Sequence, residues 1–220
     1  IVDGYESKKS NEKNTLSHLF SKYKMDLDFE NFVESSLNIS VQRVNNDTYL
    51  KVFNSNIVDT DLKPDNFDTL TSKIELNLEH EKFVLDTGFT AYEDLSKSNS
   101  DRYQYVLPYY NFSKNLFNDS QFGSFNFLSQ GDNILKDTND LRSRMINDLN
   151  IQSYDFITNS GFKNNFNYYL KNLISSGKDN FEYGSKAEIK FENIFDFQSS
   201  FPLVKIDKNF INVINPKLAL

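Results

Sequence analysis

Few side chains in this sequence are of the kind that hold metals, move protons or attack bonds. Cys is absent, which removes thiolate ligands, cysteine nucleophiles and disulfides together. The histidines are His18 and His80. His80 sits between Glu79 and Glu81, an arrangement open to proton transfer. On an extended strand, though, the two carboxylates share one side, and His80 joins the opposite parity of Ile74, Leu76 and Leu78. That is the place of an interfacial histidine near a strand end, while His18 stands alone. Asp59, Asp61 and Asp65 offer alternate oxygen ligands to calcium, but their stretch lacks the sharp-turn Gly and terminal Glu of an EF-hand loop. A solvated loop is the expected outcome there.

Basic residues offer a different chemistry. If residues 140–149 form a strand, Arg142 and Arg144 lie on one side with Asp140 and Asp148. They then either line a polar lumen and meet anionic groups, or form plain cross-strand ion pairs. Lys163, Asn165, Asn167 and Lys171 share a parity that suits a wet lumen and bulk water equally. Arg142, Arg144, Lys163 and Lys171 are thus the candidate ligand-contacting residues. No phosphate loop, nucleophile elbow or zincin pair occurs, so the reading is non-enzymatic, without metal or cofactor.

The elements that position these residues read as strands. Apolar and polar residues alternate in runs such as Tyr23–Phe29, Leu37–Val41, Ile74–Leu78, Phe83–Ala91, Tyr103–Tyr109 and Phe162–Leu170. Turn-rich pieces separate them, among them residues 45–47, 54–56, 96–101, 118–120, 131–133 and 176–180. The pattern predicts an all-β antiparallel meander with no parallel βαβ unit. Two stretches also fit a helical stripe: Phe29, Phe32, Val33 and Leu37, and Leu141, Met145 and Leu149. The second is read as a strand because Ile151 extends its odd parity. Residues 102–112 and 161–174 reach the length of membrane-spanning strands. Tyr109–Tyr110 and Tyr168–Tyr169 then fit either an interfacial girdle or ordinary cross-strand pairs.

Composition bounds the function. The 220 residues carry 24 Lys and Arg against 31 Asp and Glu, a net charge of −7 that argues against duplex nucleic acid as a partner. Mean hydropathy is −0.58, and no run approaches a membrane helix. A membrane barrel stays open, because its strands need only one lipid-facing residue in two. On pattern alone, lipid-facing and core-facing residues look the same. The chain starts at Ile1 without a leader and ends as a new alternation begins at Lys217, so a fragment is expected.

Three stretches, residues 44–53 (VNNDTYLKVF), 101–112 (DRYQYVLPYYNF) and 137–149 (DTNDLRSRMINDL), together resemble the C-terminal barrel region of the LPS-assembly family LptD, also called organic solvent tolerance protein OstA. The resemblance runs from about Leu19 onward. It implies that residues 1–220 are part of one large outer-membrane β-barrel domain, with the family's N-terminal jelly roll and last strands absent. It also implies a non-enzymatic role in inserting lipopolysaccharide into the outer leaflet of a Gram-negative outer membrane. The partners implied are lipopolysaccharide, outer-membrane lipid, an LptE-like lipoprotein plug and an LptA-like periplasmic bridge. The family's disulfide-forming cysteines are missing. Two alternatives remain: another outer-membrane barrel, such as a porin or TonB-dependent receptor, and a soluble β-rich surface-binding module.

Overall fold

The computed structural model describes residues 2–8, 15–119, 121–137, 139–206 and 210–220. It is all-β and antiparallel. The strands are β1 (Val2–Lys8), β2 (Thr15–Asp26), β3 (Glu34–Val44), β4 (Thr69–His80), β5 (Phe83–Asp94), β6 (Tyr103–Asp119), β7 (Gly123–Lys136) and β8 (Asp140–Ser153). They continue with β9 (Phe156–Ile157), β10 (Lys163–Lys178), β11 (Glu188–Ser200), β12 (Leu203–Ile206), β13 (Ile211–Ile214) and β14 (Lys217–Ala219). One 12-stranded sheet runs in the order β1-β2-β3-β4-β5-β6-β7-β8-β10-β11-β14, with β9 beside β10. A separate pair joins β12 to β13. Each long strand pairs with its neighbour in sequence, as a meander requires. Strands from β2 to β11, β9 aside, have 11 to 17 residues, against about 5–6 in an average soluble sheet.

Several turn signals fall inside strands. Gly131-Asp132-Asn133, read as a turn, is the middle of β7, because Gly131 receives the Tyr110 ring and Asp132 is held by two arginines. The chain reverses instead after β7, where Asp137 takes a positive φ of 47° and its carbonyl accepts from the Asn139 amide. Ser176–Lys178 likewise completes β10, with Asp179 in the left-handed region just beyond it. Asn118 and Asp119 end β6; Ser120 lies outside the described residues. Pro108 sits in β6 where the ladder to β7 slips between Val106 and Tyr109, so its missing N–H falls at a bulge. Phe29 and Phe32 belong to the β2–β3 turn, not to a helix, and Leu141, Met145 and Leu149 do lie on a strand.

Between β3 and β4 lies an excursion, residues 45–68, which holds the short helix α1 (Tyr49–Phe53) and a 3-10 turn (Asn54–Asn56). The sequence reading had no helix here. Its entry is fixed by Asn46, whose Oδ1 accepts from the Thr48 amide and hydroxyl at 3.0 and 2.8 Å. The β3–β4 ladder ends at Ser40↔Lys73, and the excursion fills the space where the strands part. Tyr49, Leu50, Ile57 and Leu62 pack there with Phe20, Val44, Leu70 and Leu95. These eight form the buried hydrophobic core among the described residues. Burying Leu50 and Phe20, both 0% exposed, contributes roughly 1.5–3 kcal/mol each. The long sheet contributes only strand positions next to this excursion.

Away from the excursion the sheet has two unlike faces. Directly paired residues share a face, so the register can be followed across the strands. One row reads Met25, Leu37, Leu76, Thr87, Tyr110, Gly131, Met145, Ile174 and Ile189, from β2 to β11. The adjacent row on the other side reads Lys24, Asn38, Glu75, Gly88, Tyr109, Asp132, Arg144, Ser175 and Glu188. The first belongs to an apolar face and the second to a polar one. Exposed Tyr23, Ile74, Phe89, Phe191 and Phe195 extend the apolar face.

Candidate functional site

The polar face carries the candidate site. A hollow of about 780 Å³ runs over β4 to β11, and the polar-face residues bordering it include Glu79, Val84, Asn126, Leu128, Asp148, Tyr169, Lys171, Glu192 and Ile194. Its wall is amphipathic. Leu128 faces Asp148 across the β7–β8 ladder, Asp148 faces Lys171, and Lys171 faces Glu192. Two residue pairs further along, Asn126, Asn150, Tyr169 and Ile194 form the next row on the same face. Asn115 donates to Asn126 at 2.8 Å, so part of the amide lining is already engaged. The surface offers carboxylates, ammonium groups, amides and one phenol ring, with aliphatic side chains between them. It is suited to holding an amphipathic solute by many weak contacts.

All four basic residues singled out from sequence lie on this face, but only Lys171 borders the hollow. Arg142 and Arg144 converge on Asp132 of β7 rather than on Asp140 or Asp148. Arg142 reaches Asp132 at 3.2 Å, and Arg144 donates through Nε and Nη2 at 3.1 and 2.7 Å. Asp140 faces Lys136 at 3.6 Å, and Asp148 faces Lys171 at 3.7 Å. Lys163 pairs with Asp155 at 2.7 Å. Bonds from Asn165 and then Lys163 hold the Asp155 carboxyl below its ordinary range. Each cation therefore faces an anion of the same wall.

Register brings together groups that periodicity alone could not reveal. Tyr109 lies across Gly88 of β5 and donates to Glu75 of β4 at 3.0 Å, while Lys73 meets Glu75 at 2.7 Å and lies 5.7 Å from the ring centroid. Tyr110, the next residue, points to the apolar face and covers Gly131 of β7. Its hydroxyl lies 3.1 Å from Ser129, which donates to Asn147 at 2.7 Å; Asn147 donates in turn to Asn172 at 3.2 Å. A hydrogen-bonded chain thus crosses four strands within the apolar face. Consecutive strand residues face opposite ways, so each tyrosine pair places one ring on each face.

The two histidines have separate settings. His80 stacks on Phe83 at 4.9 Å and meets the Phe32 edge at 5.8 Å, and Phe83, Phe112 and Phe127 continue the aromatic row over the apolar face. His18 is not alone: its Nδ1 lies 2.8 Å from the Tyr49 hydroxyl, and its ring stacks on Phe20. Asp59, Asp61 and Asp65 are exposed, and Leu62 and Pro64 turn inward between them. No group of three or more His, Asp or Glu able to hold a metal occurs among the described residues.

At the opposite end of the strands from His80, Arg102 fastens the excursion to the sheet. It donates to Glu93 at 2.7 Å and to Asp47 at 2.6 Å. Burial disfavours its charge, but the two carboxylates outweigh that, so its pKa stands above the ordinary value.

No known protein-family model matches the chain, and no curated protein matches it. The class defined by the geometry is an antiparallel β-meander with one apolar and one polar face, hollowed on the polar side.

Proposed function

We propose that this chain is part of the wall of an outer-membrane β-barrel, with its polar face toward an aqueous lumen and its apolar face toward lipid. We further propose that the barrel inserts lipopolysaccharide, as the resemblance to LptD/OstA implies. The observation that carries the reading is the placement of the hollow. A soluble barrel or sandwich fills its interior with the apolar side of its sheet. Here the polar-face side chains bordering the hollow are charged and amide groups with Val84, Leu128, Tyr169 and Ile194 among them, and the long apolar rows lie on the other face. Strand lengths support the same reading, since about 9–11 tilted residues cross a bilayer. Closure with further strands would satisfy the backbone groups at the sheet edges, which lipid cannot do. The Phe83–Phe112–Phe127 row then falls where a lipid–water interface takes aromatic rings. In this scheme an LptE-like plug occupies the lumen, and an LptA-like bridge delivers the substrate.

The test is photo-crosslinking in native outer membranes from a benzophenone amino acid placed at Leu128 or Tyr169, against Ile74 and Phe89. Lipopolysaccharide adducts from the first pair are expected. Adducts from Ile74 and Phe89 alone would leave a barrel, such as a porin, that does not carry lipopolysaccharide inside. Recovery of the chain in the aqueous fraction without detergent would favour the soluble module.

A further inference from the structure

The strands β12 and β13 form a hairpin that projects beyond β11 and β14 yet keeps their register. Ser200 is opposite Lys217, and three residues further along Leu203 is opposite Ile214. The break between the two ladders carries a proline on each side, Pro202 and Pro216. It is held by the Phe201 amide donating to the Pro216 carbonyl at 3.1 Å, and by Phe201 against Phe162 at 4.8 Å.

The polar side of the wall turns aliphatic across that break. In β11, Phe195 and Phe197 lie on the apolar parity, and Asp196 and Gln198 on the polar one. Counting on through the prolines, the formerly polar parity becomes Val204 and Ile206, opposite Val213 and Ile211. The formerly apolar parity carries Leu203 opposite Ile214 next to the break, and then Lys205 opposite Asn212. Val204, Ile206, Ile211 and Val213 are 58–77% exposed. If the hairpin simply prolonged the wall, four aliphatic side chains would face the aqueous lumen and Lys205 would face lipid.

We infer that the β12–β13 hairpin is a lipid-inserting rim element: it turns over at the two prolines, lays its Val204/Ile206/Ile211/Val213 side on the bilayer and directs Lys205 and Asn212 to the headgroups. The inference rests on the barrel reading. Lipid is the occupant because an isolated two-stranded hairpin is marginal in water and needs an apolar support. A bilayer supplies that support at the barrel rim, where the hairpin springs from a wall strand already carrying Phe195 and Phe197. A cation beside an aliphatic face is also the pattern of an interfacial segment.

The chain has no Trp, so one introduced indole reports one position. Val204→Trp, Leu203→Trp, Lys205→Trp, Val213→Trp and Phe89→Trp variants of the full chain would be reconstituted in phosphatidylcholine vesicles containing lipid brominated on one acyl chain. The expected result is loss of most emission at 204, 213 and 89, with much weaker quenching at 205. Strong quenching at 203 and 205 with none at 204 and 213 would make the hairpin a plain continuation of the wall and overturn the inference. Quenching at 89 but at no hairpin position would overturn it as well, leaving the barrel intact. No quenching at 89 would instead reject the barrel reading on which it rests.

Discussion

At the residue scale, the two faces are kept apart by small substitutions of space and charge. Tyr109 and Tyr110 are neighbours in sequence and opposites in structure, each covering a glycine on a different adjoining strand. A Cβ at Gly131 would stand 2.5 Å from Tyr110 Cε1, so Gly131→Val must displace the ring. We predict a loss of about 1–3 kcal/mol in denaturant titrations of the refolded protein, partly recovered when Tyr110→Ala is added. Asp132 holds two guanidinium groups, at 3.2 and 2.7 Å. Asp132→Ala leaves two adjacent cations without it; because both are partly exposed, solvent screening limits the cost to about 1–2 kcal/mol. A double-mutant cycle should give stronger coupling to Arg144, which makes two bonds, than to Arg142. Equal coupling would contradict the geometry. Neither pair was visible in sequence, where Asp132 looked like a turn residue and the arginines had nearer acids on their own strand.

At the scale of elements, the excursion and the sheet are held by different forces. Residues 45–68 carry their own core around Leu50, whereas the long strands rest on ladder hydrogen bonds and cross-strand pairs. Leu50→Ala should therefore cost about 2–5 kcal/mol locally, opening the excursion to proteolysis while β6 to β10 remain protected in hydrogen exchange. Arg102→Ala should loosen the same segment through loss of its Asp47 bond. If protection fell equally across the sheet, the two parts would be one cooperative unit and this division would be wrong. The strands themselves were legible because alternation repeats with period two for many residues. The excursion was not: its helix is a single short turn, and its burial depends on where β3 and β4 diverge, which is a tertiary fact. Apolar-face substitutions test orientation at this scale. Ile74→Lys should cost about 2–4 kcal/mol in a bilayer if that position lies near the midplane, whereas Asn77→Lys on the polar face should cost little.

For the whole molecule, the central claim is that a sheet with one apolar and one polar face stands with the apolar side in lipid. Sequence established the meander, the parity of most runs and the acidic balance, because these depend only on residue order; the bulge at Pro108 breaks the Tyr103–Tyr109 run, placing Tyr105 on the apolar face and Tyr109 on the polar one. It could not choose between lipid and a protein core as the cover of the apolar side, since both select the same residues. Relative position adds what residue order lacks: Met25 and Ile189 fall in one apolar row only once nine strands are in register, and the hollow lies on the other face, against the Leu128–Asp148–Lys171–Glu192 row. Of the four candidate cations, Lys171 alone borders that hollow, a distinction that their common parity could not make. The most direct measurement uses the cysteine-free chain as background, with single cysteines at Ile74, Glu75, Leu76, Asn77 and Leu78 in β4. The protein is reconstituted in vesicles and treated with a water-soluble maleimide. The account predicts rapid labelling at Glu75 and Asn77 and protection at Ile74, Leu76 and Leu78. Rapid labelling at all five positions, with the chain remaining in solution when detergent is withheld, would contradict it.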